Sequence, residues 1–465
     1  YTRLSPSGVR EPKLLHVNER LGNELGLSSE LLHSDAMLAV FAGNTELPGG
    51  KALAAVYSGH QFGVWAGQLG DGRAHLLGAI NSPLGPQELQ LKGSGMTPYS
   101  RRGDGRAVVR SSVREYLASE AMYALGIPTT RALALVSSPV PVYRERIERA
   151  AVVTRVAPTF IRFGSFEHWL NQPEAMSELL RYTVEHFYPE LDAQLADDEL
   201  SLALLNEVTK RTAKLMAQWL TVGFCHGVMN TDNMSIVGLT LDYGPYGFMD
   251  GFQANHICNT TDQQGRYAWS NQPSIAHWNL YRLASALTTL GATPEQLEAA
   301  MAEYEAEFLR HYQHIMCRKF GLLEWQDDDN LLVDSWWRLL HQARADFTLS
   351  FRYLADSAAH PERFLALFEQ PEPARQWLQR YHQRLQSDAQ SPLTRHALMQ
   401  QNNPLYVLRN HLAQQAIEGA EQGDMTVFNQ LLMVLTQPYT EHSGYAFFAE
   451  PPQHGAASIP LSCSS

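Results

Sequence analysis

Short apolar runs dominate the first third of the chain. Apolar runs that are bounded by Gly, Pro and Asn are typical of β-strands. Runs of this kind stand at residues 74–80, 88–92, 131–136, 140–143 and 151–156. The sequence therefore predicts a β-rich region before about residue 165.

A single helix is predicted between these strands, over residues 112–125. Its apolar residues recur every three or four positions, and Gly126 followed by Pro128 ends the pattern. Ser112 and Glu115 have the spacing of a capping box, in which both side chains bind free backbone N–H groups at a helix start. The sequence thus places the beginning of the helix at Ser112.

Beyond about residue 165 the apolar spacing becomes helical. Helices are predicted over residues 207–222, 275–290, 294–320, 331–354 and 362–384. Residues 224–251 differ, because they are rich in Gly, Asn and Asp, and we expect a loop with a hairpin there. A group of strands followed by a group of helices predicts an α+β fold.

The charge balance limits the classes of partner. The chain has 465 residues, 45% of them hydrophobic, and a formal net charge of −12. This composition is that of a folded protein, and its negative charge disfavours binding to nucleic acid or to an anionic membrane. No apolar run is long enough to span a bilayer and no signal peptide is recognisable, so we expect a cytoplasmic location.

One segment is basic against this acidic background. Residues 70–114 carry seven Lys and Arg against three Asp and Glu, which leaves −16 on the rest of the chain. A local cationic region on an acidic protein suits a small polyanion such as a nucleotide. An ordinary solvated basic surface is equally compatible with this pattern.

Two oxygen-bearing side chains flank the predicted hairpin. Asn233 follows His226 by seven residues, and Asp242 begins the Asp-Tyr-Gly at 242–244. Mg²⁺ takes few protein oxygens together with phosphate and water. The same order, a loop Asn and then Asp-aromatic-Gly, occurs in the metal site of protein kinases. Asn233 and Asp242 are therefore predicted metal ligands, with a ligand-free Asx-rich hairpin as the alternative.

Lys92 lies near the end of a predicted strand that precedes the helix. In kinase-like sites such a lysine binds nucleotide phosphate and pairs with a glutamate of the next helix. Glu115 and Glu120 are both candidates for that partner. A lysine on a strand is more often a solvated edge residue, so this assignment depends on its order relative to Asn233 and Asp242.

Gly-Asp-Gly-Arg occurs twice, at residues 70–73 and 103–106. Gly lets the backbone approach a phosphate closely, and Arg supplies a forked donor, so both copies are candidate phosphate-binding loops. Each is also compatible with a plain hairpin turn. Arg155 and Arg162, where the strands give way to helices, are candidate phosphate clamps or surface residues.

Val228 occupies the position of the kinase base. That base follows the loop His by two residues, and valine cannot accept a proton. Asp232, next to Asn233, is the nearest carboxylate that could replace it. The chain is therefore either a nucleotide-binding pseudokinase or an enzyme with a different transfer reaction.

These observations predict a protein-kinase-like bilobal fold. A β-rich N-lobe with one key helix is expected beside a larger, mostly helical C-lobe. The predicted boundaries are an N-terminal extension at 1–50, the N-lobe at 51–160, the C-lobe at 161–442 and a C-terminal tail at 443–465.

Longer blocks resemble the selenoprotein O family of kinase-like protein adenylyltransferases. The resemblance extends through nearly the whole chain and is carried by residues 57–73, 91–100, 126–131, 226–234 and 241–245. It implies transfer of AMP from ATP to Ser, Thr or Tyr hydroxyls of protein substrates, with release of pyrophosphate. It also implies that ATP binds in the reverse orientation to that in protein kinases.

The resemblance further implies roles for individual residues. Asp232 would accept the proton, Asn233 and Asp242 would bind Mg²⁺ or alternatively Mn²⁺, and Glu115 would pair with Lys92. The implied nucleotide contacts are Gly70, Gly72, Arg73, Lys92, Asp104, Gly105, Arg155, Arg162 and Asp242. A pseudokinase scaffold and a uridylyltransferase that uses UTP with Mn²⁺ are the alternatives.

The same resemblance suggests a redox link between the C-terminal tail and the segment after Asp-Tyr-Gly. The cysteines in those places are Cys463 and Cys258. The four cysteines of the chain allow three complete pairings, and free thiols are the ordinary state in a reducing cytoplasm. A Cys258–Cys463 disulfide and free thiols both stay open.

Overall fold

The computed structural model describes residues 1–453 and 459–462, so Cys463 lies outside the described residues. The protein is α+β, as the sequence predicts: most strands precede residue 158, and helices dominate the rest. No helix in the described part is long and apolar enough to cross a membrane.

A large antiparallel sheet forms the amino-terminal part. The strands are β1 Thr2–Arg3, β2 Lys13–Val17, β3 Leu53–Ala54, β4 Val56–Gln61, β5 Val64–Gly70, β6 Ala74–Ser82, β7 Gly85–Lys92, β8 Ala107–Val108, β9 Arg131–Tyr143, β10 Ile147–Ala157, β11 Phe224–Cys225 and β12 Gly247–Phe248. Eight of them form one sheet in the order β1-β3-β6-β7-β10-β9-β2, with β8 on β10. The pairs β4–β5 and β11–β12 stand outside it.

Helices cover this sheet and form the rest of the molecule. They are α1 Glu19–Glu24, α2 Ser29–Leu32, α3 Asp35–Phe41, α4 Val109–Ala124, α5 Phe163–Glu167, α6 Pro173–Phe187, α7 Asp197–Thr221, α8 Gln272–Leu287, α9 Pro294–Met301, α10 Tyr304–Phe320, α11 Asp329–Ala343, α12 Phe347–Leu354, α13 Pro361–Leu365, α14 Pro371–Leu385, α15 Pro392–Asn402, α16 Asn410–Gln422 and α17 Thr426–Leu435. Short 3₁₀ turns occur at Thr231–Asn233, Trp269–Asn271, Thr288–Leu290 and Ala446–Ala449.

The core joins the sheet to the helices through α4. This helix is buried along most of its length, because it packs against β9 and β10 on one side and against α16 and α17 on the other. Helices α1 to α3 share a second apolar cluster with the sheet. A third cluster, built around Trp336 and Trp377, holds α10 to α14 together. The position of α4 therefore fixes the sheet relative to the helical part.

Three of the long predicted helices are each divided in two. The predicted range 294–320 is α9 and α10, 331–354 is α11 and α12, and 362–384 is α13 and α14. Arg344 ends α11 in the left-handed conformation, with φ of +48°, and Pro371 begins α14. Apolar periodicity continues across the last two breaks because both halves face the cluster around Trp336 and Trp377, so the pattern does not reveal them.

The predicted capping box at Ser112 is wrong. Helix α4 begins at Val109, three residues earlier, and its N-cap Val108 makes no side-chain cap. The chain enters α4 directly from β8, which is hydrogen-bonded to β10, so the sheet sets where the helix starts. The Ser112 hydroxyl is buried without a hydrogen-bond partner among the described residues, and Glu115 forms ion pairs instead.

The β4–β5 hairpin leaves the sheet and packs on the helical part. The His60 N–H donates to Thr231 Oγ1 (2.7 Å), and the Phe62 N–H donates to Asn230 Oδ1 (3.1 Å). Glycine at position 164 permits this approach, because a Cβ there would lie 2.2 Å from the Ser58 carbonyl oxygen. The hairpin therefore holds the loop that contains Asp232.

Candidate active site

A cavity of about 640 Å³ lies between β4–β7 and the segment 228–245. The predicted residues that line it are Gly70, Gly72, Arg73, Lys92, Asp104, Gly105, Arg155, Asp232, Asn233 and Asp242. Glu115 and Arg162 do not line the cavity but contact residues that do. The structure thus brings together residues that are up to 172 positions apart in the sequence.

A second cavity, of about 650 Å³, lies between β2, α4 and α17. Its charged groups include Arg131 and Glu120, which form a two-point ion pair with N–O distances of 2.8 and 2.7 Å. These two charges neutralise each other, so this cavity is a poorer place for a polyanion than the first. The pair also shows that Glu120 is not the partner of Lys92.

Glu115 is the carboxylate that holds Lys92. Lys92 Nζ lies 2.6 Å from Glu115 Oε2, and Arg155 Nη1 donates to Glu115 Oε1 at 3.0 Å. Side chains from β7, α4 and β10 meet in this way because β7 and β10 are neighbouring strands and α4 packs against β10. Of the two candidate glutamates, the structure places Glu115 at the site.

Asp242 is surrounded by cations. Its Oδ1 accepts from Arg155 Nη1 and its Oδ2 from Arg162 Nη1, both at 2.5 Å, and Lys92 Nζ lies 4.0 Å away. Burial alone would raise the pKa of Asp242, but the charges of Arg162, Arg155 and Lys92 outweigh it and hold the pKa well below its usual value. Asp242 is therefore ionised at neutral pH.

The loop before Asp242 is fixed by hydrogen bonds. His226 Nε2 donates to the Leu241 carbonyl (2.8 Å), and burial lowers the pKa of His226, so the ring is neutral. Asn233 Nδ2 donates to the Val228 carbonyl at 2.9 Å. This bond commits the amide nitrogen of Asn233 and leaves its oxygen as the group available to a ligand.

Asn233 and Asp242 fit an ion of the magnesium type. Both line the same cavity, and they offer an amide oxygen and an ionised carboxylate. No group of three or more His, Cys, Asp or Glu that could hold a metal occurs within residues 1–453 and 459–462. A zinc site needs three or four such ligands, whereas Mg²⁺ uses one or two carboxylates and completes its shell with phosphate and water.

Asp232 differs from Asp242 in its surroundings. It is 8% exposed, its Oδ2 accepts from Gln61 Nε2 (3.2 Å), and its Oδ1 is buried with no hydrogen-bond partner in the described part of the chain. Burial raises the pKa of Asp232 to about 6, although the nearby Arg162 opposes this rise. A carboxylate with an unpaired oxygen and a raised pKa is suited to accept a proton.

The first Gly-Asp-Gly-Arg loop is folded around a buried carboxylate. Asp71 Oδ2 accepts from the Ala55 N–H and from Gln90 Nε2, both at 3.2 Å. A Cβ at Gly70 would lie 2.4 Å from the Tyr99 ring, so only glycine fits there. Arg73 lines the cavity and forms no ion pair with any described residue. These features agree with a phosphate-binding loop.

The second loop is shaped by an ion pair. Asp104 binds Arg144 through both carboxylate oxygens, at 2.7 and 2.9 Å. Gly105 has φ of +70°, and a Cβ there would lie 2.2 Å from the Gly95 carbonyl carbon. Asp104 therefore orients Arg144, which also lines the cavity, and its own oxygens are occupied.

Several further cavity residues have no predicted role. Among them are Gln61, Tyr99, Arg144 and Asn230. Gln61 and Tyr99 belong to sequence blocks that carry the family resemblance, so the sequence marked both positions but indicated no role for either residue. Arg144 directly follows β9 and gives no signal in the sequence, because only the fold of the sheet brings it to Asp104.

Comparison with known proteins defines the class as protein nucleotidyltransferase. The protein nucleotidyltransferase YdiU of Bordetella petrii is 56% identical over 479 residues, covering 100% of this chain and 96% of its own length. The proteins of the same name from Ralstonia nicotianae and Dechloromonas aromatica are 48% and 47% identical, covering 100% of this chain and 93% and 95% of their own lengths. The chain is thus an enzyme of the nucleotidyltransferase class.

The family can be stated more narrowly. The family model described as protein adenylyltransferase SelO matches residues 1–436. The chain belongs to this family, which confirms the resemblance carried by its sequence blocks.

The surroundings of Asp242 and Asp104 lead to a prediction about stability. Asp242→Asn is expected to lower the free energy of unfolding at pH 7 by about 2–4 kcal/mol, since it removes the counter-charge of the buried Arg162 and one of the two carboxylates that pair with Arg155. Asp104→Asn is expected to lower it by less than about 1 kcal/mol, because the side chain of Asp104 is 44% exposed. Urea-induced unfolding measures both, and equal losses in the two variants would contradict the description of Asp242.

Proposed function

We propose that the chain transfers AMP from ATP to Ser, Thr or Tyr hydroxyls of protein substrates and releases pyrophosphate. The observation that carries this proposal is that Asp232, with its unpaired buried oxygen, shares one cavity with Lys92, Arg155 and the glycine loops. Cations for a polyphosphate and a base for a hydroxyl are thus present together. The description of the matching family, protein adenylyltransferase, supports the same reaction.

A kinase-like bilobal fold is part of this proposal. It is supported by Lys92 on β7 pairing with Glu115 on α4, and by the order of His226, Asn233 and Asp242 along the chain. The N-lobe would span 51–160 and the C-lobe 161–442. Strands β1 and β2 of the preceding 50 residues take part in the main sheet.

The nucleotide would lie with its triphosphate among the basic residues of the cavity. Arg73 is free of ion pairs with described residues, and Lys92 and Arg155 are held in place by Glu115. Groups held in this way are pre-organised for phosphate and do not have to reorient as charge develops. Val228 in place of the kinase base supports an ATP that binds in reverse, so that the α-phosphate, rather than the γ-phosphate, faces the acceptor.

Asn233 and Asp242 would hold Mg²⁺, or alternatively Mn²⁺. When bound, such an ion supplies charge neutralisation for the triphosphate and for the departing pyrophosphate. The depressed pKa of Asp242 keeps this ligand ionised at neutral pH. The bond from Asn233 to the Val228 carbonyl orients the amide.

Asp232 would position and deprotonate the acceptor hydroxyl. The hydroxyl oxygen then attacks the α-phosphorus, the bond to the bridging oxygen of pyrophosphate breaks, and the proton goes to the Asp232 carboxylate. Gln61 holds Oδ2 of this carboxylate, and Oδ1 forms no hydrogen bond with a described residue. Arg162 Nη1 also donates to the backbone oxygen of Asp232, at 2.8 Å, and so helps to hold this residue in place.

Two alternatives lead to different products. A uridylyltransferase would use UTP with Mn²⁺ in the same cavity, since the phosphate-binding groups do not depend on the base. A pseudokinase scaffold would bind nucleotide without transfer. Val228 favours the scaffold, but the complete set of Lys92, Asp232, Asn233 and Asp242 argues against it, because a scaffold needs no paired base and metal ligands.

The transferred group can be identified by isotope position. Labelled protein is expected from α-labelled ATP in the presence of Mg²⁺ or Mn²⁺ but not from γ-labelled ATP, because pyrophosphate leaves. Asp242→Ala is expected to abolish labelling. Label from the γ-position would mean phosphoryl transfer, and preferential labelling from α-labelled UTP would identify a uridylyltransferase.

The role of Asp232 can be separated from nucleotide binding. Asp232→Asn keeps the size of the side chain but removes the base, so transfer is expected to fall by about 10²–10⁴-fold. The Kd for ATP, measured by calorimetry on the full chain, is expected to change little. A variant with normal transfer, or with lost ATP affinity and intact turnover, would remove Asp232 as the proton acceptor.

The Cys258–Cys463 disulfide stays a proposal, because Cys463 lies outside the described residues. It is supported from the Cys258 side. Cys258 is a buried free thiol that follows Asp-Tyr-Gly, and its Sγ donates to the Pro245 carbonyl at 2.9 Å. Two residues later, the Thr260 N–H and hydroxyl both donate to the carbonyl of Leu461. The described end of the tail therefore reaches the Cys258 segment.

Peptide mapping tests this pair. After treatment of the full chain with the thiol oxidant diamide, non-reduced digests are expected to contain a peptide that links Cys258 to Cys463. Cys317, on α10, is expected to stay unlinked and serves as the internal control. Two free thiols at 258 and 463 after oxidation would exclude the disulfide.

A further inference from the structure

An exposed surface lies at the edge of the cavity, close to Asp232. Phe62 lies in the turn of the β4–β5 hairpin, and Val64 and Trp65 begin β5. These three side chains are 36%, 70% and 48% exposed. The side chains beside this turn belong to the helical part of the chain. We call the set of Phe62, Val64, Trp65, Arg266, Trp278 and Arg282 the β4–β5 surface.

The β4–β5 surface is fixed to the body of the protein. The His60 ring contacts Trp65 and Trp278, with ring centroids 5.1 and 5.5 Å apart, and His60 Nδ1 lies 2.6 Å from Glu167 Oε1. Gly63 is so close to Arg266 that a Cβ there would lie 3.0 Å from the guanidinium carbon. The apolar side chains therefore stay exposed although their backbone is held.

Two cations on this surface lack a counter-charge among the described residues. The guanidinium carbons of Arg266 and Arg282 lie 4.7 and 5.1 Å from the centroid of the Trp278 ring. Neither arginine forms an ion pair with a described residue, and the Nε atom of each is buried without a hydrogen-bond partner among them. Like charges held against one ring repel each other, which an acidic ligand would relieve. The chain as a whole carries −12, so this local excess is not a property of the general surface.

The β4–β5 surface is continuous with the catalytic end of the cavity. Gln61, the residue before Phe62, donates to Asp232 at 3.2 Å, and Phe62 itself lines the cavity. Trp65, Arg266 and Arg282 do not line it. A polypeptide that lies on this surface would therefore reach the proton acceptor without occupying the phosphate-binding groups.

We propose that the β4–β5 surface binds the protein substrate, and that it selects a segment in which acidic and apolar side chains lie close to the acceptor hydroxyl. The acidic side chain pairs with Arg266 and Arg282, and the apolar one packs on Val64 and Trp65. This inference rests on the proposed function, because it names the substrate class of the same site. Exposed aromatic and arginine side chains are also the residue types that contribute most to protein interfaces.

A binding experiment that needs no transfer tests the proposal. Two short dye-labelled peptides each contain one serine and two leucines, and they differ only in two flanking residues, glutamate in one and lysine in the other. Fluorescence anisotropy with the full chain is expected to give at least about fivefold tighter binding of the glutamate peptide. Non-specific attraction predicts the opposite order, because the net charge of the protein is negative.

Matched variants locate the binding. Arg282→Glu is expected to remove or invert the preference. Arg338→Glu should leave it unchanged, because Arg338 is an exposed residue of α11 that forms no ion pair with a described residue. Trp65→Ala is expected to weaken binding of the glutamate peptide by about fivefold or more. Leu393→Ala, at an apolar residue 84% exposed on α15, is its control. Thermal unfolding of each variant confirms that it is folded.

Several results would overturn the proposal. Equal affinity for the two peptides, or an unchanged preference in Arg282→Glu, would show that the arginines do not bind an acidic segment. A raised Kd for ATP in Trp65→Ala, with unchanged peptide affinity, would assign the surface to the nucleotide. A dimer that Trp65→Ala dissociates in sedimentation would assign it to a second copy of the chain.

Failure of this inference can be distinguished from failure of the proposed function. Labelling of both peptides from α-labelled ATP at equal kcat/KM and equal affinity would sink this inference and leave nucleotidyl transfer intact. A clear binding preference without any transfer would support binding of an acidic segment and contradict nucleotidyl transfer.

Discussion

The ionised carboxylate of Asp242 is the group on which the site depends. It binds Arg155 of β10, Arg162 at the N-cap of α5 and, at 4.0 Å, Lys92 of β7. Glu115 of α4 completes the network by holding Lys92 and Arg155. Buried charges are tolerated only when they are paired. This requirement ties the sheet, helix α4 and the Asp-Tyr-Gly segment to one relative position.

The two aspartates of the cavity have opposite properties for a physical reason. Asp242 faces three cations, which outweigh its burial, and its pKa is depressed. Asp232 is also buried, but of these cations only Arg162 acts on it appreciably, and its pKa rises to about 6. One carboxylate is thus kept as a permanent anion while the other is able to take up a proton. This division suits an enzyme that binds a charged donor and deprotonates an acceptor.

The β4–β5 hairpin supports the candidate site from outside the main sheet. It leaves the main sheet and bonds through His60 and Phe62 to the loop at 230–231. Through Gln61 it also positions Asp232. The loop that contains Asp232 is therefore supported by the same element that presents Phe62, Val64 and Trp65 to solvent. One hairpin joins the candidate site to the exposed apolar surface.

Local sequence patterns predicted much of the fold. The strands at 74–80 and 88–92 and the helix near 112–125 lie close to β6, β7 and α4, because alternation, helical periodicity and Gly-Pro stops act over a few residues. The hairpin β4–β5 was not predicted, since its Gly, His and Gln residues obscure the alternation, and its two strands pair with each other outside the main sheet. The breaks at Arg344 and Pro371 were missed for a similar reason, as both halves face one core.

The sequence by itself determined which residue types are available for chemistry. Lys92, Asn233 and Asp242 could be named from their order and spacing, and Asp232 from the absence of a base at Val228. Only the tertiary structure decided between Glu115 and Glu120, which lie five residues apart on the same helix. It also paired Arg162 with Asp242 and Arg144 with Asp104. The reason is physical: spacing fixes which face of a helix or strand a side chain occupies, whereas the charge that it meets comes from an element far away in the chain.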